Sequence, residues 1–311
     1  MRYYVGAEAR LRRTVEDTAM SVFDRWSFEE ITTPAVDYYV LFEQGMGLEE
    51  AQRSFRFTDS DGRMLTLRPD VTSSVARAAA TLLADRPRPL RLCYVAPVFK
   101  QQYQSSAEWR RENTQLGCEL IGAGDARSDL QMLLLVAEVL NQLGLQDNYC
   151  ITINNVEIFN GLADEFSLDT KAREEIRRLI NSRATPELSR QEYAPFSELT
   201  HLQGKRDILD QARRLISNSR SKAALDNLDE LWRRIEDEGL SKGFEIDLGD
   251  VSSLDYYTGL SFKVFVNGAG ARVGGGGRYD RLISNFGKDE PAIGFVLNLD
   301  ALTEVLANKK S

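Results

Sequence analysis

Three runs of alternating apolar residues mark the last third of the chain: Phe244, Ile246 and Leu248; then Leu260, Phe262, Val264 and Val266; then Ile293 to Val296. Between the last two lies a run of four glycines, 274–277, ending in Arg278-Tyr279-Asp280. A period of two is what a strand with one buried face requires, and glycines beside such strands let backbone approach closely. The segment before them, 161–242, reads differently, with helical spacing over Ala172 to Asn181, Ile208 to Ile216 and Leu225 to Ile235. Strands interrupted by a helical block predict an α+β fold. The strands on either side of the block are expected to share one sheet, with residues 1–160 and 243–311 forming one discontinuous domain and 161–242 a mainly helical insertion.

The first half supports the same class. Leu11, Val15, Ala19, Val22 and Trp26 recur every three or four residues and predict a helix from Ala7 to Trp26. Phe28 to Pro34 reads as a short β segment, with Pro34 at a strand end because it cannot donate to a ladder. Phe55 to Thr58 and Met64 to Leu67 flank Asp59-Ser60-Asp61-Gly62, which predicts a hairpin. A helix over Asp70 to Leu83 should precede strands at Leu90 to Val95 and Thr114 to Ile121, joined through a polar loop, 101–111. Leu130, Leu133, Leu134, Ala137 and Leu140 mark a buried helix closed by Gly144, Ile151 and Ile153 a strand, and Asp300 the start of a last helix.

Composition narrows the function classes. Acidic residues outnumber basic ones 47 to 39, a net charge of -8, which disfavours a nucleic-acid-binding role because phosphate contacts depend on Lys and Arg. Cys93, Cys118 and Cys150 are far apart and His201 is the only histidine, so neither a disulfide framework nor a zinc site assembles from them. The start has no apolar leader and no stretch approaches eighteen apolar residues. The expectation is a cytoplasmic protein, neither secreted nor membrane-spanning.

Four stretches in order, Phe28 to Pro34, Leu67-Arg68-Pro69-Asp70-Val71-Thr72, Phe99 through Gln115-Leu116-Gly117-Cys118-Glu119, and Leu254-Asp255-Tyr256-Tyr257-Thr258-Gly259 onward through the glycine run, resemble the catalytic domain of histidyl-tRNA synthetases. The resemblance covers nearly the whole chain. It implies a class II aminoacyl-tRNA synthetase-like antiparallel sheet flanked by helices, and a histidine pocket. In that pocket Asp70, Thr72 and Gln115 take the ammonium, Glu119 and Tyr257 the imidazole nitrogens, and Tyr279 closes the far side with Tyr256 beside it. A buried ammonium without acceptors would cost several kcal/mol, which is why such residue types must converge on it. Asp70 stands where the synthetases usually carry Glu, shortening the reach by one methylene.

The same resemblance exposes losses. Adenylate formation stabilises charge on a phosphate with arginine forks and Mg²⁺. The synthetase pattern Phe-Arg-x-Glu reads here Phe99-Lys100-Gln101-Gln102; an Arg-Gly pair becomes Ser252-Ser253; and Gly-Leu-Glu-Arg becomes Asn298-Leu299-Asp300-Ala301. If each anchor contributes about 3 kcal/mol, adenylation falls by roughly six orders of magnitude. Lys100 keeps a charge and is expected to meet the carboxylate of free histidine. No room is expected for an anticodon-binding domain.

A retained pocket without arginine anchors resembles the family of ATP phosphoribosyltransferase regulatory subunits. That implies no catalytic residues, no metal and no cofactor, a short-form catalytic subunit as partner, L-histidine as allosteric ligand, and a homodimer within a hetero-oligomer. Two other readings stay open: a divergent ligase activating a carboxylate without tRNA, and a histidine-sensing scaffold with another partner.

Overall fold

The computed structural model describes residues 3–101, 110–181, 188, 193–251 and 256–309. They fall into two compact units, Met1–Tyr149 with Val264–Ser311, and Cys150–Lys263. Gln102, Ser252, Ser253, Leu254 and Asp255, which carry part of the motif reading, lie outside the described residues.

The first unit opens with helix α1 (Ala7–Arg25), whose Val15, Ala19, Val22 and Phe23 are buried as the spacing predicts. Strand β1 is only Glu29–Glu30, shorter than the Phe28 to Pro34 reading, and pairs in parallel with Leu92 and Cys93. Next come β2 (Val36–Tyr38), α2 (Tyr39–Met46), α3 (Leu48–Gln52), β3 (Arg56–Thr58) and β4 (Met64–Leu67). The predicted hairpin forms: Asp59 accepts from the backbone N–H of Asp61 and Arg63 at 2.9 and 2.8 Å, and Gly62 takes φ 78°. It joins β2 in a three-stranded sheet ordered β2-β4-β3.

Helix α4 (Thr72–Ala80) is shorter at both ends than the Asp70 to Leu83 pattern. Asp70 lies outside the helix, before its N-cap Val71, with its carboxylate accepting from the Ser73 N–H. Strands β5 (Leu90–Phe99) and β6 (Glu112–Ile121) run longer than predicted and pair antiparallel along their whole length. Pro97 fits inside β5 because β1 covers only Leu92 and Cys93, leaving no ladder for the missing N–H. Helix α5 (Ala126–Gln142) follows, N-capped by Asp125 accepting from Ser128 N at 2.9 Å.

The second unit contains β7 (Tyr149–Asn155), α6 (Val156–Glu165), α7 (Thr170–Asn181), α8 (Ala194–Leu199), β8 (Gln203–Gly204), α9 (Ile208–Leu215), α10 (Ser219–Asp237) and β9 (Phe244–Asp247). Its core is aromatic, with Phe196 against Phe159 and Phe166 at centroid distances of 5.5 and 5.7 Å and Trp232 fully enclosed. Helix α10 begins at Ser219, six residues before the Leu225 of the periodic pattern, because Asn218 caps it by accepting from Ser221 N at 2.7 Å. His201 is exposed.

Strand β10 (Leu260–Val266) leads back to the first unit, where β11 (Gly274–Arg278), β12 (Ala292–Asn298) and helix α11 (Leu299–Lys309) complete the chain. The glycine run is therefore a strand. It pairs antiparallel with β12, and a Cβ on Gly274 would come within 2.5 Å of the Val296 carbonyl. The order β1-β5-β6-β12-β11 gives this unit a mostly antiparallel sheet with two different faces. On one, Leu116, Cys118, Leu120, Phe295 and Leu297 are buried, and Phe295 meets Phe23 of α1 at 6.0 Å. On the other, period-two alternation places Gln115, Gly117 and Glu119 of β6 beside Asn298, Val296 and Gly294 of β12.

Candidate functional site

The second face carries the polar cluster. Register places Glu119 between Leu92 and Gly294, Gly117 between Tyr94 and Val296, and Gln115 between Ala96 and Asn298. Small residues alternate with large ones for a steric reason. A Cβ on Gly117 would sit 2.3 Å from Tyr94 Cζ, and one on Gly294 would sit 1.6 Å from Glu119 Oε2.

The segment carrying Asp70 and Thr72 is held by Arg68. Its buried guanidinium donates to the carbonyls of Pro97 at 2.7 Å and Thr33 at 2.6 Å, and its own carbonyl accepts from Phe99 N at 2.9 Å. Desolvation pulls the Arg68 pKa down. This clamp brings Thr72 Oγ1 within 2.8 Å of Glu119 Oε1, to which it donates. Tyr94 donates to the same oxygen at 3.0 Å and Tyr279 donates to Oε2. Glu119 is 1% exposed and has no cationic partner among the described residues.

Burial pushes the Glu119 carboxyl up to about 8, with the hydroxyl bonds from Tyr279, Thr72 and Tyr94 pulling back and the nearby charge of Asp70 adding to the rise. The Tyr94 phenol is itself pushed well up by burial and by the Glu119 charge. A buried carboxyl surrounded by hydroxyls and lacking a cation is an acceptor for a positively charged or N–H-bearing ligand. The second acceptor is Gln115, whose Oε1 is buried with no hydrogen-bond partner among the described residues. Gln115 and Glu119 are four residues apart on one strand face, about 13 Å at their Cα atoms, so they suit opposite ends of a small ligand.

The structure thus brings Thr72, Glu119 and Tyr279 into one hydrogen-bonded group and places Gln115 further along the same sheet face. Asp70 also has a local role. Its Oδ2 accepts from both Ser73 N at 2.9 Å and Ser73 Oγ at 2.8 Å, so that oxygen serves the helix start. Lys100 is half-buried at the end of β5, its backbone N–H donating to Arg111 O at 3.0 Å. Tyr256 and Tyr257 belong to the second unit and pack edge to face at 4.9 Å.

Tyr94 was not singled out by the sequence reading, and neither was the group around Asp300. That carboxylate accepts from Tyr4 Oη at 2.9 Å, Arg12 Nε at 3.2 Å and Thr114 N at 2.8 Å, while Asn298 Oδ1 accepts from Ala301 N at 3.0 Å and caps α11. The positions that differ from the synthetase pattern here are built into helix and strand anchoring. Arg278 is buried and donates to Asp129, Ser128 Oγ and Asp280, tying β11 to α5. Among the described residues no group of three or more His, Cys, Asp or Glu is arranged to hold a metal, and no helix is long and apolar enough to cross a membrane.

Comparison with known proteins identifies the family. The family model described as histidyl-tRNA synthetase matches residues 1–302. An ATP phosphoribosyltransferase regulatory subunit from Moorella thermoacetica is 36% identical over 304 residues, covering 95% of this chain and 78% of the relative. The chain belongs to the ATP phosphoribosyltransferase regulatory subunit family. Another regulatory subunit, from Acetivibrio thermocellus, is 33% identical over 97% of this chain and 74% of its own. The crystal structure of an ATP phosphoribosyltransferase regulatory subunit/histidyl-tRNA synthetase from Bacillus halodurans superposes with a TM-score of 0.89 at 30% identity, covering 98% of this chain and 82% of that one. The family's synthetase-like architecture, with an antiparallel sheet flanked by helices, is the fold expected from the motifs.

Proposed function

We propose that this chain is a non-catalytic, histidine-responsive subunit, required by a short-form ATP phosphoribosyltransferase catalytic subunit for the first step of histidine biosynthesis and for its feedback inhibition in the cytoplasm. The names of its relatives support the regulatory role. The observation that carries the ligand is the buried Glu119 carboxyl, with three hydroxyl donors and no cation among the described residues. L-histidine supplies what this site lacks: a ring N–H for Glu119 and, at its other end, an ammonium for the orphaned Gln115 oxygen.

The loss of adenylation rests on chemistry already described. Where a synthetase has an arginine after its last strand, Ala301 has no charge, and Lys100 replaces a planar fork with a point charge. Isolated protein is expected to give no ATP–pyrophosphate exchange with histidine. Feedback further requires that histidine favour one of two states of the assembly.

Calorimetry with L-histidine, on wild-type protein and Glu119→Gln, tests the ligand. Tight binding by wild type and its loss in the variant support the reading; equal binding by both refutes it.

A further inference from the structure

Tyr94 lies outside every motif that marks the site, yet its hydroxyl donates to Glu119. In the β5–β6 ladder it faces Gly117, and a Cβ there would sit 2.3 Å from its Cζ and 2.4 Å from its hydroxyl oxygen. The ring therefore lies across the glycine, and this carries its hydroxyl to Glu119 Oε1, two residues further along β6, at 3.0 Å. Tyr94 is 1% exposed, so the hydroxyl has no alternative in bulk water. A tyrosine that only filled space here would not need the hydroxyl.

We propose that Tyr94 is a positioning residue for the ligand, fixing the Glu119 carboxyl in its accepting orientation, and that Gly117 is the position that allows it to do so. This rests on the reading of the cluster as a histidine site. Among the described residues, the groups facing Glu119 are Thr72 from α4, with Asp70 just before that helix, Tyr94 from β5, and Tyr279 following β11; β12 presents Gly294. Asp70 is the only other carboxylate among them, and it disfavours ionisation of Glu119, whereas each hydroxyl favours it. Removing the Tyr94 hydroxyl leaves the carboxyl harder to ionise and freer to rotate. Both changes weaken its grip on a ligand N–H.

The test uses full-length wild type, Tyr94→Phe and Gly117→Ala, with L-histidine as probe, titrated by calorimetry between pH 6 and 9.5. In parallel, the Glu119 carboxyl is titrated without ligand by infrared difference spectroscopy, with Glu119→Gln as reference. Tyr94→Phe, which keeps the ring, is expected to bind about 10-fold more weakly near neutral pH. Its carboxyl midpoint should move upward by roughly half a unit or more. Gly117→Ala should move the midpoint in the same direction by displacing the ring, and if it does not fold, Tyr94→Phe decides alone. Wild-type affinity and an unmoved midpoint in Tyr94→Phe overturn the inference while leaving the histidine site intact. A wild type that binds no histidine, but whose midpoint moves in Tyr94→Phe, sinks the ligand reading and retains the action of Tyr94 on the carboxyl.

Discussion

Gly294 stands directly opposite Glu119 in the β6–β12 ladder, and a methyl group on it would lie 1.6 Å from Glu119 Oε2 and 2.7 Å from the Cys118 carbonyl oxygen. The carboxyl can be inside the protein because its cross-strand neighbour has no side chain. Gly294→Ala is therefore expected to displace the carboxyl, to destabilise by about 1–3 kcal/mol through overpacking, and to reduce histidine binding severely. Gly270→Ala, with nothing within 4 Å, is the matched control and should leave both unchanged. Denaturant unfolding and calorimetry on the pair check this.

The Glu119 carboxyl also makes stability depend on pH. Its ordinary value is 4.5 and its folded value about 8, so between these the unfolded chain has lost a proton that the folded chain retains. The stabilising contribution is fully present below pH 4.5 and is lost as pH rises through about 8. Glu119→Gln, which cannot ionise, should gain on wild type with rising pH, by up to ~5 kcal/mol at pH 9 relative to pH 4.5. Urea unfolding of both proteins at several pH values measures the gap, which must widen upward.

Arg278 illustrates a different use of a motif residue. It ends the glycine strand, but its guanidinium donates to Asp129, Ser128 and Asp280. Arg278→Ala should cost about 2–3 kcal/mol, because the half-buried Asp129 loses its cation; Asp129→Asn added to it should recover part of that loss. A double-mutant cycle by thermal or chemical unfolding gives the coupling.

Much of the site was readable from residue types in order. Glu119, Thr72 and Tyr279 converge as the motif resemblance implied, because those motifs fix both the strand face and the helix start. Tyr94 was not readable, since its role depends on which residue of β6 it faces, and strand register is a tertiary property. The same limit hid the Asp300 group, in which residues 4, 12, 114 and 300 meet only after folding. Helix starts were misplaced for a local reason. Asp70 fits the periodic pattern as a helical residue, yet its carboxylate accepts from the Ser73 N–H and the helix starts at Thr72, while Asn218 stands outside the pattern and caps the helix that follows. A glycine run taken alone reads as a flexible turn, and only its pairing with β12 makes this one a strand.

The most direct measurement is phosphoribosyltransferase activity of the short catalytic subunit, reconstituted with this chain or with Glu119→Gln, across a series of L-histidine concentrations. Activity should require the chain, histidine should inhibit the wild-type complex, and the half-inhibiting concentration should rise about 10- to 150-fold with Glu119→Gln. Full activity of the catalytic subunit alone, or inhibition curves that coincide for the two complexes, would contradict the account.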